Sequence, residues 1–494
     1  MATTKEITEM CKEGKVQEAY EIAKAEVTKS PGNVWAQRSV GWALYYMIKN
    51  DATRGDYNQL LKDIDELKSL DLLTMANDSM IFENVEFQIA NFIKHHVSLS
   101  DIQASAKLST FFFKLKDYTF KPSKGHSFLL QSIIKFDNWS EMADFFDWWD
   151  LDNLSQEDYT PYETQKGQKI MTLAERAFIA KSKELLKLRD LSRIELFLPK
   201  LDALMNDHQE MMYPGYFYGK LLLALGSDAD EALKVIIPFA RKKATEFWVW
   251  QLLSDVFAHD EDKQLACLLR AVHCRTQENF LGKVRLKLAQ LYIKNGLYNK
   301  ARYHINALTR CYTSNGWHLP HEIDNFIHQP WFDSTVPDNV DSIDYKTITD
   351  GILCDGAEEC IAVVTNVNPV NNIISMIYGF EKRTAQKLRF KVQAGNILKL
   401  HYINNPDGRI RILSANKAQL PEALNYAKTV VGNIVKREDK DFAFLNCGDD
   451  RCFVSPTIVR KYNLTNGVTV KALIVYDYNK KKEEWNWTCT DIKK

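Results

Sequence analysis

No run of about 18 apolar residues occurs anywhere in the 494-residue chain, which excludes a membrane-spanning helix on length alone. The opening Met1-Ala2-Thr3-Thr4-Lys5-Glu6 lacks the apolar stretch of a secretory signal, so a cytoplasmic location is expected. Glycine and proline are scarce, at 20 and 13, which favours long regular elements over loop-rich structure. Nine cysteines without dense spacing do not make a disulfide framework, and reduced thiols are expected. Also missing are a phosphate-cradling Gly-x-x-x-x-Gly-Lys-Ser/Thr loop, a dinucleotide glycine fingerprint, a His-Glu-x-x-His and a Gly-x-Ser-x-Gly. Nothing argues for nucleotide hydrolysis or acyl transfer, so the chain is expected to be no enzyme, with no catalytic residue and no cofactor.

Net charge is absent as well, with 64 basic and 64 acidic residues, but the balance conceals a split. Residues 346–494 hold 23 Lys and Arg against 16 Asp and Glu, a surplus of seven that the rest of the chain offsets. A basic C-terminal third on an acidic body has the form of an electrostatic footprint for nucleic acid; ordinary solvated surface is the alternative. Cys447 and Cys452 flank a short turn, and His318, His321 and His328 gather near Cys311. Either set could hold zinc, buried thiols and surface imidazoles being the alternative. Neither has paired Cys-x-x-Cys spacing, and no metal is assigned.

Helical periodicity runs through the first two thirds. Near the start, Gly14 precedes Ala19, Tyr20, Ile22, Ala23 and Val27, and Pro31 follows. A glycine ends one helix, a small alanine permits close approach, and a proline stops the second helix. The same grammar returns at Leu288, Ala289, Tyr292, Gly296, Ala301, Ile305 and Leu308. Stepping back 35 and then 34 residues from Ala301 gives Ala266 and Ala232, with Phe257 and Leu223 in the place of Tyr292. These offsets resemble the tetratricopeptide hairpin, which implies a stacked α-solenoid over residues 1–327 with a groove for a protein partner. A spacer or a dimerisation surface is the alternative. Residues 60–210 are helical in period but show no clean repeat.

One stretch interleaves aromatics with carboxylates: Phe136, Asp137, Trp139, Asp144, Phe145, Phe146, Asp147, Trp148, Trp149, Asp150 and Asp152. Metal-dependent nucleases cluster carboxylates, but no lysine or histidine lies within this one, and aromatics at helical spacing are usually packing. It is read as core or docking surface.

The helical period stops in a linker, residues 328–345, where Pro330, Pro337 and Asn339 accumulate. Period-two alternation rich in β-branched residues follows, at 361–364, 373–378, 397–402 and 409–413, with a turn at Asn405-Pro406-Asp407-Gly408. A second series is expected at 430–436, 441–446, 451–454, 467–478 and 485–492, its last two strands joined at Lys480-Lys481-Lys482. Gly395-Asn396-Ile397-Leu398-Lys399 aligns with Gly467-Val468-Thr469-Val470-Lys471, 72 residues on, as in a tandem duplication. The fold class is therefore multidomain α+β: the helical region, then two small five-stranded barrels of the OB type at 346–420 and 425–494.

Within the second barrel, Lys440-Asp441-Phe442-Ala443-Phe444-Leu445 resembles the Lys-Gly-Phe-Gly-Phe-Ile motif of cold-shock domains. Cys452-Phe453-Val454-Ser455 stands where that family has Val-Phe-Val-His, and Gly432-Asn433-Ile434-Val435-Lys436 resembles its opening Gly-x-Val-Lys-Trp strand. Lys436 replaces the strand-one tryptophan, Asp441 a glycine and Ser455 the histidine. Independently of the resemblance, residues two apart on a strand share a face, so Phe442 and Phe444 stand together and Phe453 on the next strand joins them. Facing outward, three rings make a platform for unpaired bases, with Lys436, Arg437, Lys440 and Arg451 to neutralise phosphates. Facing inward, they are only core. In the first barrel Tyr378, Phe380, Arg389, Phe390 and Lys391 would form a lesser platform, or the barrel is a spacer.

The assembled reading is an adaptor that binds single-stranded nucleic acid, RNA ahead of DNA, through the barrels and a protein partner through the solenoid. Helical repeats joined to cold-shock-like barrels resemble accessory proteins of bacterial conflict systems of the TOTE type, which implies antiviral defence. The competing reading is a scaffold whose barrels contact only protein.

Overall fold

The structure, a computed structural model, describes residues 3–163, 167, 169–387, 391–405, 407–422, 424–479 and 482–493. Arg389, Phe390, Pro406, Lys480 and Lys481, all named above, lie outside the described residues. The chain divides into two compact units, Met1–Phe239 and Ala240–Lys494. No helix among the described residues is long and apolar enough to cross a membrane.

The first unit is almost entirely helical. Several of its helices begin where a short polar side chain satisfies a free amide: Thr3 and Glu6 form a reciprocal cap on Thr4–Lys12, and Asp56 caps Tyr57–Lys68. The aromatic and acidic stretch resolves by helical period. Over Met142–Trp149 the buried face holds Phe145, Phe146 and Trp149, joined by Trp139 from the preceding turn. The carboxylates on the opposite side meet cations from helices that follow in the chain. Asp144 and Asp147 lie 2.6 and 3.1 Å from Arg193, and Asp150 and Asp152 lie 2.7 and 2.9 Å from Lys200. The stretch is core on one side and paired charge on the other.

Three helical hairpins stand where the 34- to 35-residue period expects them: Pro214–Leu225 with Ala229–Lys242, Phe247–Val256 with Glu261–Val272, and Gly282–Lys294 with Tyr298–Ser314. Ala232, Ala266 and Ala301 are fully buried. In the first hairpin a Cβ on Gly219 would fall 2.3 Å from Ile236 Cγ1, so only glycine allows that approach. Gly296 ends Gly282–Lys294 in the left-handed region, at φ 69°.

Beyond the helices come two five-stranded sheets. The first contains β1 (Glu358–Val367), β2 (Ile373–Gly379), β3 (Lys382–Lys387), β4 (Ile397–Asn404) and β5 (Ile410–Lys417). The second contains β6 (Ala427–Val435), β7 (Ala443–Cys447), β8 (Asp450–Val454), β9 (Thr469–Asn479) and β10 (Glu484–Lys493). Spatial order in the first is β3-β2-β1-β4-β5, and the second repeats it as β8-β7-β6-β9-β10. The shared order, with β4 and β9 each starting two residues after a positive-φ glycine, Gly395 or Gly467, fits tandem copies of one plan.

The copies differ in closure, which corrects the expectation of two barrels. In the second sheet β8 pairs in parallel with β10, Phe453 opposite Thr488 and Val454 opposite Cys489, and the barrel closes. Among the described residues of the first sheet, no pairing joins β3 to β5. Instead both of its faces are packed. Ala362, Val364, Ile374, Met376, Leu398 and Leu400 fill one side. On the other, Val363 and Ile377 pack with Tyr426, Ala427, Leu473 and Val475 of the barrel, and the Tyr426 hydroxyl donates to the Ile361 carbonyl at 2.7 Å.

The barrel interior is Ile434, Ala443, Leu445, Cys452, Val454, Ala472, Ile474 and Cys489. A helix between β8 and β9, Pro456–Lys461, covers one end with Ile458 and Val459. Its start is written as Ser455-Pro456, a capping hydroxyl followed by proline at the first helical position.

Gly432 lets β6 curve through two pairings, with β9 on one side and β7 on the other. A Cβ there would sit 2.3 Å from the Asn446 carbonyl oxygen, a backbone atom that cannot swing aside. Gly432→Ala is therefore expected to destabilise the barrel by about 1–3 kcal/mol, as overpacked interiors do. Faster hydrogen exchange of β7 amides, with the helical region unchanged, is the measurement that checks it.

Candidate nucleic-acid interface

Alternation along β7 and β8 decides which side chains reach the surface. Ala443, Leu445, Cys452 and Val454 point into the barrel and are buried. Phe442 lies just before β7, and Phe444 and Phe453 occupy the intervening positions; all three are partly exposed on the outer surface. Phe444 and Phe453 are directly paired across the strands, and Val435 of β6 lies opposite Phe444.

The rings form a triangle with centroid separations of 5.7 Å (Phe442 to Phe453), 5.8 Å (Phe442 to Phe444) and 6.2 Å (Phe444 to Phe453). Phe442 and Phe444 meet edge to face, at 88° between planes, so each holds the other in place. The Arg451 guanidinium lies 4.1 Å from the Phe444 centroid, a cation–π pair that covers one face of that ring and offers a flat cationic surface of its own. Next along the strands lies a polar row, with Asn446 paired to Asn433 on one side and Arg451 on the other.

The cations divide. Arg451 is part of the ring cluster. Lys436 and Arg437 leave β6 at the end that pairs with Phe444, and Lys436 is fixed by its amide donating to Asn466 Oδ1 at 3.0 Å. Lys440 stands in the loop before Phe442 and lies 3.5 Å from Asp439. The loop 436–441 alternates Lys436, Arg437 and Lys440 with Glu438, Asp439 and Asp441, so its field is locally balanced. Attraction for a polyanion rests on few charges, and the ring surface is the larger resource.

Two features were not read from the sequence. Lys428 lies 4.5 Å over the Trp487 ring and 2.7 Å from Asp450, and Tyr476 stacks on Phe380 at 5.0 Å and 10°. The alternation of Tyr476 with Tyr478 and of Trp485 with Trp487 was the available signal. In the first sheet Tyr378 packs edge-on against Tyr402, while Phe380 is 49% exposed on the turn before β3. Those two residues therefore do not form one platform.

All nine cysteines are free thiols. Cys447 and Cys452 approach to 3.6 Å between sulfurs, and among the described residues no group of three or more His, Cys, Asp or Glu could hold a metal ion. Burial pushes the Cys489 thiol up to about 12, and burial together with the Cys447 neighbour raises Cys452 as well.

With this geometry in place, the comparisons with known proteins fall on two separate parts of the chain. Residues 428–492, which span the barrel, match the family described as S1/CSD-like domain 2 of the TOTE conflict systems. Residues 212–350, which span the three hairpins, match a domain of unknown function (DUF7017). No curated protein matches the chain.

Since thiolate is the reactive form and both thiols are buried and protonated at neutral pH, alkylation at pH 7.5 is expected to spare Cys452 and Cys489 in the folded chain. Peptide mapping after iodoacetamide, with and without denaturant, should show labelling at those two positions only when the barrel is unfolded.

Proposed function

We propose that the chain binds single-stranded nucleic acid on the outer surface of β6–β8, RNA ahead of DNA, and performs no catalytic step on it. The observation that supports this most directly is the outward triangle of Phe442, Phe444 and Phe453 over an independently filled interior. Three rings that contribute little to the barrel core, set beside Arg451, form a surface on which unpaired bases stack without regard to sequence. The family matched by residues 428–492 supports an OB-type binding domain and a setting in conflict systems, which we read as antiviral defence. The three hairpins with their buried alanines support a tetratricopeptide-like stack that takes a protein partner, making the whole an adaptor.

A second reading has two observations in its favour. The balanced charge of loop 436–441 and the cover of Arg451 over Phe444 suit a barrel surface that meets protein.

Fluorescence anisotropy with labelled single-stranded RNA and DNA separates the two. Stacking contributes about 1–3 kcal/mol per base, so Phe442→Ala with Phe444→Ala is expected to weaken binding by about 30-fold or more while the fold survives. With Lys436, Arg437, Lys440 and Arg451 each meeting a phosphate, the log–log slope of affinity against salt should be about −3. Unchanged affinity in the double variant would remove this surface from the site. Oligonucleotide that stays intact with magnesium or manganese is expected; metal-dependent cleavage would overturn the non-enzymatic reading.

A further inference from the structure

Between Phe332, which is buried, and Ile343, which is half-buried, the chain crosses residues 333–342 without burying an apolar side chain; Val336 and Val340 are 80% and 67% exposed. A segment with no apolar anchor has no hydrophobic reason to stay where it is. It is nonetheless held by a row of polar contacts. The Arg302 guanidinium donates to the Thr335 carbonyl. The Asp338 amide donates to the Asn299 carbonyl at 3.1 Å, and its carboxylate accepts from Asn299 Nδ2 at 3.2 Å and Lys300 Nζ at 3.4 Å. Lys300 also donates to the Val340 carbonyl, and Asp341 lies 3.9 Å from His273 Nε2.

Charge runs one way across this contact. Residues 333–344 contain Asp333, Asp338, Asp341 and Asp344 and no Lys or Arg. The receiving surface offers Lys300, Arg302 and His273. Beneath the segment is a cavity of about 100 Å³ lined by Leu269, Tyr292, Lys300, Tyr303 and His304, with residues 338–341 as its outer wall. Polar contacts of this kind are individually weak and the ion pairs among them are screened by salt, so a strap held by them without buried apolar side chains opens locally more readily than the helices beneath it.

We propose that this surface, on the helices Glu261–Val272, Gly282–Lys294 and Tyr298–Ser314, is a docking site for an extended acidic peptide with two aspartates three residues apart, and that residues 335–341 are its resident occupant, displaced when such a peptide binds. The proposal deepens, and rests on, the reading that the hairpins take a protein partner; it names that partner's chemistry. Because the strap is tethered, it competes at a high effective concentration, and a peptide in trans binds the native chain weakly. Neutralising the strap weakens the competitor and leaves the receiving side chains in place.

The test uses the full chain and a labelled peptide copying residues 333–344. Asp338→Asn with Asp341→Asn in the protein is expected to tighten peptide binding at least tenfold over the native chain. The same two changes in the peptide should abolish binding, and so should Lys300→Glu in the protein. Hydrogen exchange on the strap-neutralised chain should be faster at 335–341 and unchanged in Tyr298–Ser314, which also shows that the helices remain folded. Should Lys300→Glu disturb that helix, Asn299→Ala serves in its place, with a several-fold loss expected. Peptide binding no tighter to the strap-neutralised chain than to the native one, or equal binding of the neutral peptide, would overturn the proposal. Oligonucleotide titrations on the same preparations keep the readings apart: loss of the peptide result alone overturns only this inference, and loss of the oligonucleotide result alone overturns only the barrel reading.

Discussion

A strand has two sides, and closing a sheet into a barrel turns that fact into a rule with no exceptions along β7 and β8. The inner positions, Ala443, Leu445, Cys452 and Val454, fill a space with room for nothing larger, so the residues between them have only the outside to occupy. Phenylalanines that would be core in an open sheet packed on both faces become surface here. The exposed ring cluster of the barrel exists because of this partition. Gly432 allows the curvature, the β8–β10 pairing completes the ring, and Arg451 then finds Phe444 beside it.

Much of this could be read from residue types. Period-two alternation gave nine of the ten strands of the two sheets to within a few residues and missed Lys382–Lys387: 451–454 was expected and Asp450–Val454 observed, and 467–478 corresponds to Thr469–Asn479. The spacing of Ala232, Ala266 and Ala301 located the three hairpins because a small residue is demanded wherever two helices approach most closely. In the aromatic and acidic stretch, helical period alone separates Phe145, Phe146 and Trp149 from Asp144 and Asp147. What pattern could not supply was long-range pairing. Whether a third strand meets a fifth depends on curvature summed over the whole sheet, and the alternating residues of β3 and β8 say nothing about it. Charge partners were hidden for the same reason: Arg193 and Lys200 lie about fifty positions from the carboxylates they meet.

The two sheets show how one strand order serves two ends. In the first, residues of both faces are taken up by packing, Val364 and Ile374 on one side and Val363 and Ile377 on the other, which suits it to a connecting role. Arg241 donates to the Leu353 carbonyl at 2.8 Å and its own carbonyl accepts from Arg411 at 2.8 Å, so the polypeptide entering this unit is tied to the end of Tyr345–Cys354 and to β5. In the second sheet the inner face is sealed, Leu473 and Val475 on the outside pack on the first sheet, and the outer positions of β7 and β8 stay partly exposed. Both sheets nonetheless keep one strand order and a positive-φ glycine, Gly395 or Gly467, two residues before the fourth strand.

The parallel pairing of Phe453 with Thr488 and of Val454 with Cys489 is short, and it joins strands separated by about thirty residues of sequence. β10 is the last of the five strands in chain order, so during vectorial synthesis the ring stays open until that segment has left the ribosome. In the interval β8 presents an unpaired edge beside a cluster of aromatic rings, a combination that invites association between nascent chains. The ring cluster thus lies beside an edge that the final hairpin covers, so pairing of β10 is the step that closes it.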